Sequence, residues 1–204
     1  YTTLITATEL KQHISNPAFV ILDCRAELTD THAGAQAFAA GHIPGAQHAD
    51  ADTALSDKSP GPNGEFRGRH PLPAQTRFIE TLRDWGVYPN SQVIAYDAHG
   101  GMFAARLWWM LRWVGHANVA VLDGGLAAWL AGGGALSTEV PSRPRGSVTL
   151  QASLAPTVSA ADVLNNLSTK KHTVLDARAA DRFRGENETI DPRSEEHTSE
   201  LQSR

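Results

Sequence analysis

The strongest constraint on this chain is that it repeats itself. Val20-Ile21-Leu22-Asp23-Cys24-Arg25-Ala26 returns as Thr173-Val174-Leu175-Asp176-Ala177-Arg178-Ala179. Upstream, Thr6-Ala7-Thr8-Glu9-Leu10 lies over Ser159-Ala160-Ala161-Asp162-Val163 at the same offset, with Ile14 over Leu167. Self-similarity of this length, at the spacing of one domain, reads as duplication and not as a short solenoid period. The first copy runs on into Gly41-His42-Ile43-Pro44-Gly45-Ala46, whose counterpart is due shortly after residue 193. The chain there reads Arg193-Ser194-Glu195-Glu196-His197-Thr198-Ser199-Glu200-Leu201-Gln202-Ser203-Arg204. That stretch is polar and follows neither the helical nor the strand period, which predicts disorder. It also resembles the in-frame translation of a sequencing-library adapter, and is set aside from fold reasoning. The expected organisation is one complete unit over residues 1–140, a linker over 141–152, the truncated start of a second unit over 153–193 and an adapter-like or disordered tail over 194–204.

Within the first unit, helix and strand signals alternate. Thr8 or Thr6 is placed to cap a short helix in which Leu10 and Ile14 share a face. Phe19-Val20-Ile21-Leu22-Asp23 is an unbroken apolar run of the kind buried on both faces of a sheet. Residues 34–41 read as a short helix or turn, and His42-Ile43-Pro44-Gly45-Ala46 as a tight turn into another strand. A long irregular stretch follows, from Ser59 to Pro73, and loops of that length in compact domains are often functional. Phe78, Leu82 and Trp85 then fall at helical spacing with Gly86 as the stop. Strands are expected over 92–96 and 118–122, and helices over 102–114 and 126–130. The pattern predicts an α/β fold with a mostly parallel central sheet and helices on both faces.

In such sheets ligands sit beyond the carboxyl ends of the strands. Asp97-Ala98-His99-Gly100-Gly101 occupies that position, between a strand and a helix, where unpaired backbone N–H groups and the helix dipole favour an anion. A cysteine at the head of such a loop would be a reactive thiolate. The residue there is Asp97, expected to cap the helix and organise the loop, with a contribution of about 0.3–1 kcal/mol if exposed. The single cysteine, Cys24, ends a buried strand and reads as an inert core thiol.

No metal site is expected, because the nine histidines form no His-Glu-x-x-His motif and no cluster with cysteine. Gly100 and Gly101 lack the Lys-Ser/Thr pair of a phosphate loop, and no Gly-x-Ser-x-Gly elbow is present. With 41% hydrophobic residues, 20% charged residues and a net charge of −4, the composition is that of a soluble globular protein with no basic face for nucleic acid. Apolar runs are too interrupted to span a membrane as a helix. One cysteine excludes an internal disulfide and fits a reducing, cytoplasmic setting.

The motifs Ile21-Leu22-Asp23-Cys24-Arg25, Gly41-His42-Ile43-Pro44-Gly45-Ala46, His70-Pro71-Leu72-Pro73, Val93-Ile94-Ala95-Tyr96-Asp97, Ala105-Arg106-Leu107-Trp108-Trp109-Met110-Leu111-Arg112 and Leu122-Asp123-Gly124-Gly125-Leu126-Ala127-Ala128-Trp129 resemble, in order, the amino-terminal domain of tandem thiosulfate/3-mercaptopyruvate sulfurtransferases of the rhodanese family. The resemblance implies a three-layer rhodanese-like fold and a ping-pong transfer of sulfane sulfur from 3-mercaptopyruvate or thiosulfate to cyanide or a thiol. A second-domain cysteine would carry the sulfur as a persulfide, and Asp97 matches the acidic residue that replaces it in the first domain. In Asp176-Ala177-Arg178-Ala179-Ala180-Asp181-Arg182-Phe183-Arg184-Gly185, Arg182 matches a substrate-anion arginine. Arg193 coincides with the adapter-like start and is not assigned a role.

The family's Cys-Gly-x-Gly loop is absent from the second copy, so the resemblance implies a chain inactive by itself, from a parent that works as a monomer without cofactor or metal. The alternative is a non-catalytic rhodanese module that binds a protein partner or small anion at the Asp97 loop. A phosphatase on a related fold is excluded by Asp97 and Met102, since it also needs the cysteine and a following arginine.

Overall fold

The computed structural model describes residues 1–187 and divides the chain into two compact units, the first Tyr1–Pro156 and the second starting at Thr157. The tail over 194–204 and Arg193 lie outside the described residues.

The first unit is built on five strands, β1 (Leu4–Ile5), β2 (Phe19–Asp23), β3 (Ala46–His48), β4 (Gln92–Tyr96) and β5 (Val119–Leu122), ordered β1-β5-β4-β2-β3 with every pairing parallel. Its helices are α1 (Ala7–His13), α2 (Ala33–Ala40), α3 (Gln75–Asp84), α4 (Ala104–Trp113) and α5 (Gly125–Ala131). Side chains along β2 and β4 alternate between two cores. Val20, Leu22, Val93 and Ala95 join Phe78, Leu82, Leu107 and Met110 of α3 and α4. Ile21, Ile94 and Tyr96 join Leu10, Phe38 and Trp129 of α1, α2 and α5. This is the three-layer α/β arrangement that the resemblance implies, a parallel sheet between two sets of helices.

Thr6, not Thr8, caps α1: Glu9 N–H donates to Thr6 Oγ1 at 3.2 Å, and Thr6 N–H donates to the Glu9 carboxylate at 2.9 Å. This reciprocal capping box satisfies two otherwise orphaned donors. The helix expected from residue 102 starts at Ala104, because the preceding turn directs its N–H groups elsewhere, as described below.

The stretch expected as a linker, 141–152, is strapped along the first unit. Gly146 N–H donates to Arg83 O, Val148 N–H to Val87 O and Gln151 N–H to Val114 O. Val148 is buried in the core. Gly146 runs so close to Val87 that a Cβ would meet its carbonyl oxygen at 2.0 Å, so only glycine fits there.

In the second unit, α6 (Ala160–Thr169) repeats the α1 capping box, with Ser159 and Asp162 in place of Thr6 and Glu9. A short α7 (Ala180–Phe183) follows. Between them, Val174 and Leu175, the counterparts of Ile21 and Leu22, form no strand and are 60% and 85% exposed. Ile21 and Leu22 are 2% and 0% exposed, between β3 and β4. Extended backbone needs neighbouring strands to accept and donate its hydrogen bonds. Leu22→Ala is therefore expected to cost about 2–5 kcal/mol and Leu175→Ala under about 0.5 kcal/mol in chemical denaturation of this chain. Equal losses would show that the two copies bury this position alike.

Candidate functional site

All five strands point the same way, so their carboxyl ends define one edge, and Asp97 stands there directly after β4. Its carboxylate is fully buried and accepts four backbone hydrogen bonds. Oδ1 takes His99 N–H and Gly101 N–H, both at 2.9 Å. Oδ2 takes Phe103 N–H at 2.8 Å and Ala104 N–H at 2.9 Å. Gly100 (φ +70°) and Gly101 (φ +93°) supply the left-handed backbone that turns these donors inward. Burial alone would raise the Asp97 pKa, but the donors from Ala104, Gly101, His99 and Phe103 outweigh it and hold the carboxyl below its ordinary value. Asp97 is thus no exposed cap worth a few tenths of a kcal/mol; it is the buried hub of the loop. The β5–α5 turn closes the back of the loop, with Leu126 N–H donating to Asp97 O at 2.9 Å.

A second network joins β2 to the Gly41–Ile43 turn. Arg25 Nε and Nη2 reach the buried Asp23 carboxylate, with Nη2 at 2.6 Å from Oδ2, and Nη2 also donates to Gly41 O. Tyr96 OH donates to Asp23 Oδ2 at 2.7 Å and accepts from Ile43 N–H at 3.1 Å. Burial and the Asp23 carboxylate push the Tyr96 phenol up, so it stays a donor.

Beside these networks lies a rim of ionisable groups. His70 Nε2 donates to Asp52 Oδ1 at 2.8 Å, and Lys58 Nζ lies 2.7 Å from the same oxygen. Burial would raise the Asp52 pKa; Lys58 and His70 together bring it below normal. His99 and Glu27 are 3.2 Å apart on the exposed side. A cavity of about 20 Å³, lined by Arg25, Glu27, Asp50, Asp52, His70 and Phe103, has room for about one water molecule.

Cys24 is buried, and burial together with Asp23 and Asp97 pushes its thiol well above the ordinary value. A thiol held protonated is a poor nucleophile. In the second unit Arg178 pairs with Asp176 as Arg25 does with Asp23, Nη2 to Oδ2 at 2.8 Å, and the Arg178 bonds hold Asp176 down at about 2. Arg182 is half-buried on α7, with its N–H donating to Asp181 Oδ1. Among the described residues no group of three or more His, Cys, Asp or Glu could hold a metal ion, and no helix is long and apolar enough to cross a membrane.

The pairing of Asp52 with His70, and the Asp23–Arg25–Tyr96 network, escaped the sequence reading. His70 and Tyr96 stood in recognisable motifs but carried no role, because partners 18 or 73 positions away are set by the sheet and not by spacing.

The family model for the rhodanese-like domain matches residues 6–132. The chain belongs to the rhodanese family. This rhodanese is 43% identical over 190 residues to a Pseudomonas aeruginosa protein named "Probable 3-mercaptopyruvate sulfurtransferase", the match covering 93% of this chain and 66% of that one. It is 33% identical to the 3-mercaptopyruvate sulfurtransferase of Escherichia coli, covering 91% of this chain and 64% of that protein. It is 31% identical to the thiosulfate sulfurtransferase of Rattus norvegicus, covering 91% and 62%. Among solved structures, SseA from Escherichia coli, a 3-mercaptopyruvate sulfurtransferase by its description, superposes with a TM-score of 0.81 at 32% identity over 94% of this chain and 71% of that one. The rhodanese chain spans slightly less than two thirds of the length of the curated relatives it matches.

Proposed function

We propose that this chain is part of a longer sulfurtransferase that takes sulfane sulfur from 3-mercaptopyruvate or thiosulfate and passes it to cyanide or a thiol. The similarity to relatives named for both donors supports this reading. The observation that carries the division of labour is Asp97. Four inward N–H groups are what an anionic sulfur needs for stabilisation, and here a carboxylate takes all four. A carboxylate has no sulfur to carry, so the persulfide belongs to a cysteine of the second repeat, beyond residue 193. In that chemistry a thiolate attacks the donor's transferable sulfur, the thiol sulfur of mercaptopyruvate or the outer sulfur of thiosulfate. A new S–S bond forms while the C–S bond of mercaptopyruvate breaks, the electron pair leaving as the pyruvate enolate that is then protonated. With thiosulfate the S–S bond breaks and sulfite leaves. The acceptor then takes the outer sulfur and the thiolate returns.

Arg182 is assigned to the donor's carboxylate or sulfonate, which a guanidinium can clamp with two hydrogen bonds. The first unit is the non-catalytic partner, and Asp52 and His70 of its rim are the groups assigned to assist the transfer. The rival reading, a module that captures a small anion at the Asp97 loop, is disfavoured because an incoming anion would meet a buried negative charge.

Given thiosulfate and cyanide, this chain alone is expected to form no thiocyanate and to gain no sulfur mass. The longer parent does both, and loses both when its second-repeat cysteine becomes serine. Thiocyanate formed by this chain alone, with sulfur on Cys24 and activity lost in Cys24→Ser, would overturn the assignment.

A further inference from the structure

We propose that Arg106 is the positioning residue of the first unit's rim: from α4 it ties together the two ends of the 56–70 excursion and so fixes His70 against Asp52. The functional value of that position rests on the reading of the rim given above. Arg106 Nη2 donates to Leu55 O at 2.8 Å and to His70 O at 2.9 Å, with Ser56 Oγ at 3.5 Å. The two hydrogens of one nitrogen thus serve two carbonyls that stand at opposite ends of the loop. Asp57 N–H to Pro71 O at 2.9 Å adds a backbone rung to the neck. Beyond it the excursion holds no helix or strand.

The arrangement makes His70 a residue held at both ends. Arg106 holds its carbonyl, and Asp52 holds its imidazole. A carboxylate only accepts, so Nε2 carries a hydrogen in this pair. Asp52 in turn is held by its own loop: its Oδ1 is shared by Lys58 Nζ and His70 Nε2, and Asp50 Oδ1 closes the turn by accepting from Asp52 N–H at 2.9 Å and Thr53 N–H at 2.7 Å.

Stability is a weak reason for such an arginine. Among the described residues no neighbouring carboxylate offsets the burial of Arg106, and its Nε is buried without an acceptor. Burial with no anion to offset it pulls the guanidinium below its usual pKa. A half-buried cation of this kind recovers little of its desolvation cost. What it supplies is geometry, of the sort a site needs from the residues behind it. The same helix opens with the Phe103 and Ala104 N–H groups that bind Asp97, so the Asp97 loop and the His70 rim hang from one rigid element.

The test uses the full chain. Arg106→Met is expected to raise amide exchange at Asp57 by about 10–100-fold relative to the core amides of Val93 and Ala95. Trypsin should cut faster after Lys58 and Arg67, and the His70 imidazole should pass from a single Nε2–H form to a tautomer mixture in proton–nitrogen correlation spectra. Arg106→Lys keeps the charge and part of the donor set, and should fall between the two. If the methionine variant does not fold, the lysine variant decides on the same readouts. An unchanged Asp57 amide and imidazole signature, or core amides that rise by the same factor, would overturn the proposal. The reading of the rim has a separate test: His70→Ala in the longer parent should lower thiocyanate formation. If it does not, the rim has no part in transfer, while the hold of Arg106 on the loop is still judged by exchange.

Discussion

Replacing Asp97 with asparagine is expected to destabilise the first unit by about 3–5 kcal/mol, a fall in melting temperature on the order of 10 °C. The carboxylate presents an acceptor to each of two donor pairs, His99 with Gly101 and Phe103 with Ala104. An amide has one oxygen and one NH₂, so one pair of buried N–H groups would face another donor. The pH dependence follows in sign. The folded-state pKa of Asp97 is lowered, and the unfolded value is about 3.9. Its contribution is therefore complete above about pH 4 and is lost as the pH falls from there through the folded value. Asparagine cannot titrate, so the stability gap between the two proteins should narrow across that acid window. Thermal melts by circular dichroism from pH 7 down to the acid limit measure both; a gap below about 1 kcal/mol at neutral pH would show the four bonds to be replaceable.

Asp23→Ala is expected to cost a similar amount, about 3–5 kcal/mol, because it strands the mostly buried Arg25 guanidinium and takes the acceptor from Tyr96 OH. The double variant Asp23→Leu with Arg25→Met removes both charges and should be less harmful than Asp23→Ala. Urea denaturation of the two variants makes the comparison. A double variant as unstable as the single one would mean that the lost Tyr96 and Gly41 bonds, and not the stranded charge, dominate.

What the sequence disclosed and what it hid divide along a physical line. Strands buried on both faces announce themselves, since Val20-Ile21-Leu22 and Val93-Ile94-Ala95 must be apolar at every position to serve two cores. The amphipathic run ending at Trp85 is legible for the same reason, its apolar residues falling on one side of a turn of 3.6. The head of the Asp97 loop was visible too, because a strand, two glycines and a helix in quick succession leave donors that something must satisfy. Its burial was not, and that changed its energetic weight. Long-range pairs were hidden altogether: Asp52 meets His70, and Arg106 meets Leu55, only after the irregular stretch has folded back. The second copy shows the limit from the other side. Val174 and Leu175 carry a strand's sequence, yet among the described residues no strand pairs with them and they do not become one.

The strap that runs back over α3 and α4 also governs the order in which this protein can be made. Val148 and the carbonyl partners of residues 146–154 complete the core on the face of the sheet that α3 and α4 cover. A nascent chain that has emerged only as far as α5 already owns every strand of its sheet, but it still lacks the belt that seals one side. Final closure must wait for residues past 150 to clear the ribosome, and an expression boundary drawn at the end of the family match, residue 132, would cut the belt away.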